Sequence, residues 1–153
     1  MFCVIPADTE AKTTALICAA FFTGAAAYIS LVEHPARLRL EDGPLLAQWQ
    51  PSYGRALPIQ SGLAIAGGVC GLAAWYLSRD WRWIAGSVAL LGNWPFTLLA
   101  IMPTNKRLKA IRPDPAGPES RTLLIAWGKL HHVRSVLGLI STLLFAWCLA
   151  VAT

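Results

Sequence analysis

A few residues of this chain can do chemistry, and they sit in unusual places. Glu33 and His34 adjoin at the end of one apolar run, and His131 and His132 adjoin near the start of another. Arg134 follows His131 by three residues, so the two share a helix face, and Trp127, four residues before His131, extends it. Asn93 falls inside an apolar stretch, Asn105 at its end, and Gln60 near the start of a further one. Imidazole and carboxylate groups can hold a metal ion. Adjacent helical residues point in different directions, however, so at most two or three of Glu33, His34, His131 and His132 can converge. Neither HExxH nor a Glu-x-x-His pair occurs, and no metal set is expected. Cys3, Cys18, Cys70 and Cys148 form no CxxC pair or zinc spacing and are read as free, away from the histidines. Serine hydrolase motifs are absent.

The elements that carry these groups are apolar helices. Of 153 residues, 56% are hydrophobic and only 14% charged, against roughly 25% charged in soluble domains. Mean hydropathy is +0.51. The pattern predicts an all-α integral membrane four-helix bundle with spans near 13–32, 58–77, 82–102 and 133–152, each about as long as a bilayer core of roughly 30 Å. The chain is a single domain without internal repeats. The first apolar run is too long for the core of a signal peptide and follows Asp8 and Glu10, so it is expected to be a retained helix. Pro35 is expected to end span one and Pro58 to open span two. Between them lies a long first loop with its own aromatics, Trp49 and Tyr53, expected on the membrane surface or over the bundle as a partial lid. Trp75, Tyr76, Trp81 and Trp83 read as an interfacial belt. Pro95 is expected to kink span three; residues 103–118 read as a solvated linker. The start of helix four, ESRTLLIAWGKLHHVR, is amphipathic and projects beyond the core or lies in the interface.

The net charge of +5 reports topology rather than nucleic acid. Ten basic residues fall in the two long loops and the start of helix four; Lys12, Arg79 and Arg82 are the three on the other side. By the positive-inside rule both termini face outward and both long loops face the cytoplasm. Glu33, His34, Gln60, Asn105, His131 and Arg134 then all lie at the cytoplasmic ends of their helices, where four helices can enclose a polar pocket. The plainer reading is that polar residues gather at helix ends in any membrane protein, with Arg134 snorkelling and His34 and His132 facing headgroups. Against it stand a carboxylate at the helix end that the macrodipole disfavours, Glu33, and the deep amide Asn93.

The stretches Val32-Glu33-His34-Pro35-Ala36-Arg37-Leu38, Gln48-Trp49-Gln50-Pro51-Ser52-Tyr53, NWPFTLLAIMPTNKRL and Trp127-Gly128-Lys129-Leu130-His131-His132-Val133-Arg134 resemble the anthrone oxygenase-like family of small four-helix membrane proteins, over nearly the whole chain. The resemblance is to a bacterial branch and so implies a bacterial inner membrane. It implies oxidation of an anthrone-like aromatic molecule by O2 without a cofactor. In that reaction His131 is the first choice of base and His34 the second. Arg134 and Asn105 stabilise the oxyanion, Glu33 orients His131 or pairs with Arg134, and Trp127 and Trp49 stack on a flat substrate, with Asn93 and Gln60 lining its site. A non-enzymatic membrane subunit or hydrophobic-ligand binder is the rival reading, and a metal- or haem-dependent oxidoreductase a third. The sequence leaves oligomeric state open.

Overall fold

A computed structural model describes residues 6–114 and 116–151. They form four long helices: α1 (Ala7–Arg37), α2 (Asp42–Ser78), α3 (Arg82–Ala110) and α4 (Pro118–Val151), all long and apolar enough to cross a membrane. No strand occurs among the described residues. Each helix packs on its chain neighbours, and α4 closes the ring against α1. The expected all-α four-span bundle is therefore present. Cys3, Pro115 of the second linker and the Ala152 end of the fourth span lie outside the described residues.

The helices are longer than the expected spans, because prolines do not stop them. The expected long first loop shrinks to the few residues between α1 and α2, and the linker after span three is helical as far as Ala110. Each long helix solves its proline locally. In α1 a π-turn at Ile29–Glu33 precedes Pro35, and the His34 N–H reaches back five residues to the Ile29 carbonyl. In α3 a π-turn at Thr97–Ile101 precedes Pro103, and the Met102 N–H reaches back to Thr97. Widening the turn ahead of the ring relieves the clash that a proline makes with the preceding turn. In α2, Pro51 and Pro58 lie inside the helix. The carbonyls they deprive of a donor belong to Ala47 and Gly54, both on the exposed side, where solvent can serve them. The regular helix pattern of α3 is interrupted at Gly92, three residues before Pro95.

Exposed apolar side chains mark the bilayer. They run as a band along all four helices, from Val32, Ile59, Leu99 and Val133 toward one end to Ile17, Leu77, Trp81 and Trp147 toward the other. At about 1.5 Å per residue α2 is much longer than that band, so its first turns, with the start of α4, project beyond it. Trp81 and Tyr76 are exposed as an interfacial belt requires, but Trp83 is not: it is fully buried and stacks on Phe145 at 5.1 Å. The turn beside it is closed by Arg79 in the left-handed region (φ 60°), whose N–H caps the Trp75 carbonyl. Arg82 grips Asp80 and holds its carboxyl below the usual carboxylate range.

Two cores stack along the bundle. The one near that turn joins small residues to rings: Ala15, Ala19 and Ala26 of α1 with Phe22, Trp83, Leu90 and Phe145. Gly71 and Gly86 admit the Phe145 ring, which would overlap any side chain there, and Gly138 admits Phe22 in the same way. The other core, at the far end, is built from Leu45, Leu46, Trp49 and Tyr53 of α2 with Ile101, Leu108, Leu124 and Trp127.

Candidate active site

Between the two cores, at the edge of the apolar band, lies a small cavity. His131 and Arg134 of α4, with Trp127 one turn before them, line one side. Trp49, Tyr53, Leu57 and Gln60 line the other, because spacings of four, four and three residues keep them on one face of the uninterrupted α2. Arg37 and Ser52 close the end. The cavity measures only about 20 Å3, space for roughly one water.

His131 is held from behind. Its Nδ1 lies 3.0 Å from the Ser30 hydroxyl, which lies 2.8 Å from the Ser135 hydroxyl. Ser135 in turn donates to the His131 backbone carbonyl at 3.4 Å. With Nδ1–H donating to Ser30, the Ser30 hydroxyl can donate to Ser135 and Ser135 to the carbonyl, and Nε2 is then the unprotonated nitrogen of the ring. The π-turn in α1 is the element that carries Ser30.

The aromatic wall is continuous. Trp127 stacks on His131 at 4.8 Å and meets Trp49 edge-on at 5.7 Å; Trp49 stacks on Tyr53 at 4.9 Å. Trp49 and Trp127 both bury an indole N–H that has no acceptor among the described residues.

The two buried arginines differ. Arg37 is paired with Glu33 and also bonds Gln48 and Ser52; Gln48 and Ser52 close the cluster by donating to the Glu33 carboxylate at 3.2 and 2.8 Å. Arg134 is 5% exposed, and its Nε has no acceptor among the described residues. No carboxylate lies within ion-pair distance of it among the described residues. It stacks instead on the Phe22 ring at 5.6 Å. An unpaired buried cation costs several kcal/mol, and an anion brought to Arg134 would offset that cost.

Several expected site residues stand elsewhere. Glu33 serves Arg37, four residues on in the same helix, and neither orients His131 nor pairs with Arg134. Asn105 is buried behind Tyr53, donating to its hydroxyl at 2.8 Å, and lines no cavity described here. His34 is buried against Trp127 (5.2 Å) in the space that Gly128 leaves by lacking a side chain. Its ring lies within reach of the Leu124 backbone carbonyl, and it too lines none of these cavities. Asn93 donates to the Leu90 carbonyl at 3.0 Å and faces a second chamber between α2 and α3. No group of three or more His, Cys, Asp or Glu side chains is placed to hold a metal among the described residues. Tyr53, Ser30, Ser135 and Arg37 belong to the site but were not singled out from sequence. For Tyr53 the signal was its four-residue spacing from Trp49, which counts only once Pro51 is read as inside a helix.

Comparison with known proteins now bears on this geometry. The sequence profile of the Anthrone oxygenase family matches residues 49–144. An anthrone oxygenase of Cryptosporiopsis sp. (strain 8999) is 33% identical over 148 residues, covering 87% of this chain and 84% of the relative. One of Paecilomyces divaricatus is 29% identical over 155 residues, covering 89% and 93%. One of Claviceps purpurea (strain 20.1) is 30% identical over 148 residues, covering 87% and 84%. These relatives are fungal, so the bacterial placement expected from sequence finds no support in them. No solved structure matches the chain.

Proposed function

The chain belongs to the anthrone oxygenase family, and from that premise we propose that it oxidises an anthrone-type aromatic ketone to the quinone with O2 at the His131–Arg134 cavity. One observation carries the reading: an imidazole anchored through Nδ1 and a buried guanidinium with no carboxylate within ion-pair distance among the described residues line the same small cavity.

The chemistry follows from the substrate class. An anthrone methylene is acidic, because the carbanion formed there delocalises through the rings onto the ketone oxygen. His131 Nε2 takes that proton, a task suited to a histidine. Charge then develops on the ketone oxygen, and Arg134 supplies the fixed positive partner. In a dry site such a donor needs no reorganisation. The carbanion reduces O2. One oxygen atom stays on the carbon as the new carbonyl, the other leaves as water, and both methylene hydrogens are accounted for in that water. O2 is the oxidant and the carbanion the reductant, so the reaction as written uses no resident metal, haem or organic cofactor. Trp127 and Trp49 offer flat faces to a flat substrate, and Gln60 an amide at its edge. The basic residues at the α1–α2 and α3–α4 ends support a cytosolic orientation of the site, and the apolar band supports a substrate drawn from the bilayer.

His131→Ala and His34→Ala, purified side by side and assayed for oxygen uptake with anthrone, test the assignment. The expected result is a loss of about 100-fold or more in His131→Ala and a smaller loss in His34→Ala. Full activity in His131→Ala removes the base assignment. Tolerance of apolar substitutions at both His131 and Arg134 would favour a non-enzymatic binding module.

A further inference from the structure

The His131 cavity is too small for its proposed ligand. About 20 Å3 holds a water, not a ring. Beside it, between α2 and α3, lies a second chamber of about 120 Å3. The two share a wall made of Leu57 and Arg134. The second chamber is mostly apolar, but its depth is not. Asn93 is 2% exposed, spends its N–H2 group on backbone carbonyls of its own helix, and keeps Oδ1 buried without a donor. Arg134 reaches the same chamber without an anion. An apolar slot with an orphan acceptor and an orphan cation asks for an aromatic ring that carries a hydroxyl group. A buried acceptor left unmet is destabilising, and a ligand hydroxyl removes that cost.

The mouth of the chamber is flanked by Trp94 and Leu98, 42% and 52% exposed, within the apolar band of α3. On that side the chamber faces the apolar surface that a bilayer would cover. The π-turn Thr97–Ile101 forms this side of the helix, and Thr97 lines the chamber.

We propose that the chamber between α2 and α3 is a binding subsite for a hydroxyl-bearing aromatic ring that arrives from the bilayer, with Asn93 Oδ1 accepting from the hydroxyl and Leu57 parting to let the rest of the ligand reach His131. The identity of the rest of the ligand rests on the function proposed above; the subsite does not. Arg134 at the shared wall serves both chambers, so one molecule spanning them engages it once.

Calorimetric titration of the detergent-purified protein with 2-naphthol and with 2-methylnaphthalene tests this without any turnover, with protein-free micelles titrated in parallel. The two probes differ by a hydroxyl in place of a methyl group. The wild-type protein is expected to bind 2-naphthol about ten-fold more tightly, the contribution of one hydrogen bond to a neutral group. Asn93→Leu keeps the size and removes the acceptor, so it should bind both probes equally. Ser61→Phe, on the chamber wall, should abolish binding of both, and it keeps the test open should Asn93→Leu fail to fold. Equal affinities in the wild-type protein overturn the proposal, as does a preference that survives Asn93→Leu or binding unchanged in Ser61→Phe. Probe binding as expected, with no oxygen uptake on anthrone, would leave the subsite standing and remove the oxidation reading. Uptake without any probe preference would do the reverse.

Discussion

The two ends of the bundle solve opposite problems. Around the Ser78–Arg82 turn, glycine meets ring: Phe145 sits over Gly71 and Gly86, and Phe22 over Gly138. Nearly every buried polar atom there is served, as when Ser87 donates to the Trp83 carbonyl at 2.8 Å; Ser141 is an exception. At the other end aromatic rings enclose polar atoms unserved among the described residues: the indoles of Trp49 and Trp127, an oxygen of Asn105 and Nε of Arg134. Close packing stabilises, whereas unmet polar groups destabilise. A chain that keeps them together at one end of its helices is holding a site ready for a ligand, while the opposite end supplies the stability that the site gives up.

If that division is right, a substitution should move activity at one end and stability at the other. The largest effect belongs to Arg134→Met. It should lower oxygen uptake on anthrone by roughly 100-fold or more while leaving the thermal midpoint unchanged or raised, because it removes an uncompensated buried charge. A lowered midpoint would mean that Arg134 has an internal partner. Next comes Ser30→Ala, which frees the His131 ring to flip or change tautomer. A drop of about ten-fold or more in kcat with little change in KM is expected, since the hydroxyl contacts no substrate; a change in KM alone would remove its positioning role. Gly86→Ala attacks the packed end. The new methyl group overlaps the Phe145 ring, so stability should fall by about 1–3 kcal/mol, with activity per folded molecule retained, and denaturation and uptake measured on one sample separate the two. The smallest effect is Asp42→Asn, which breaks the pair with Arg121 (2.6 Å) where α2 begins beside α4. The pair is partly exposed, so about 1 kcal/mol or less is at stake, and a larger loss would show that the projecting ends hold the site together.

Some of this was legible in the residues and some was not. The four spans were, because apolar runs of bilayer length have few other uses. The gathering of Gln60, His131 and Arg134 at one end was also legible, since the positions of charged and amide residues relative to the runs fix it. Helix boundaries were not. Pro35 read as a helix stop and Pro58 as a helix start, yet both lie inside continuous helices: a π-turn absorbs the first and an exposed carbonyl accommodates the second. That error hid the face formed by Trp49, Tyr53 and Gln60. The partners of Glu33 and Asn105 were not legible either. Arg37 at a spacing of four is an ordinary helical pair, but only on a helix that continues past Pro35. Asn105 faces Tyr53 only because α2 is unbroken at residue 53. Trp83 was indistinguishable from Trp81 by sequence; the glycines that make room for Phe145 decide which of the two is buried.

The central claim is that the polar end performs an oxygen-consuming reaction with the protein's own side chains. The most direct measurement is oxygen uptake by the detergent-purified protein given anthrone, with metal content and visible spectrum recorded on the same sample. The account predicts uptake above the spontaneous rate, one O2 consumed per quinone formed, and no dependence on metal or chromophore content. Uptake no faster than the spontaneous rate, or activity that rises and falls with bound metal or haem, would contradict it.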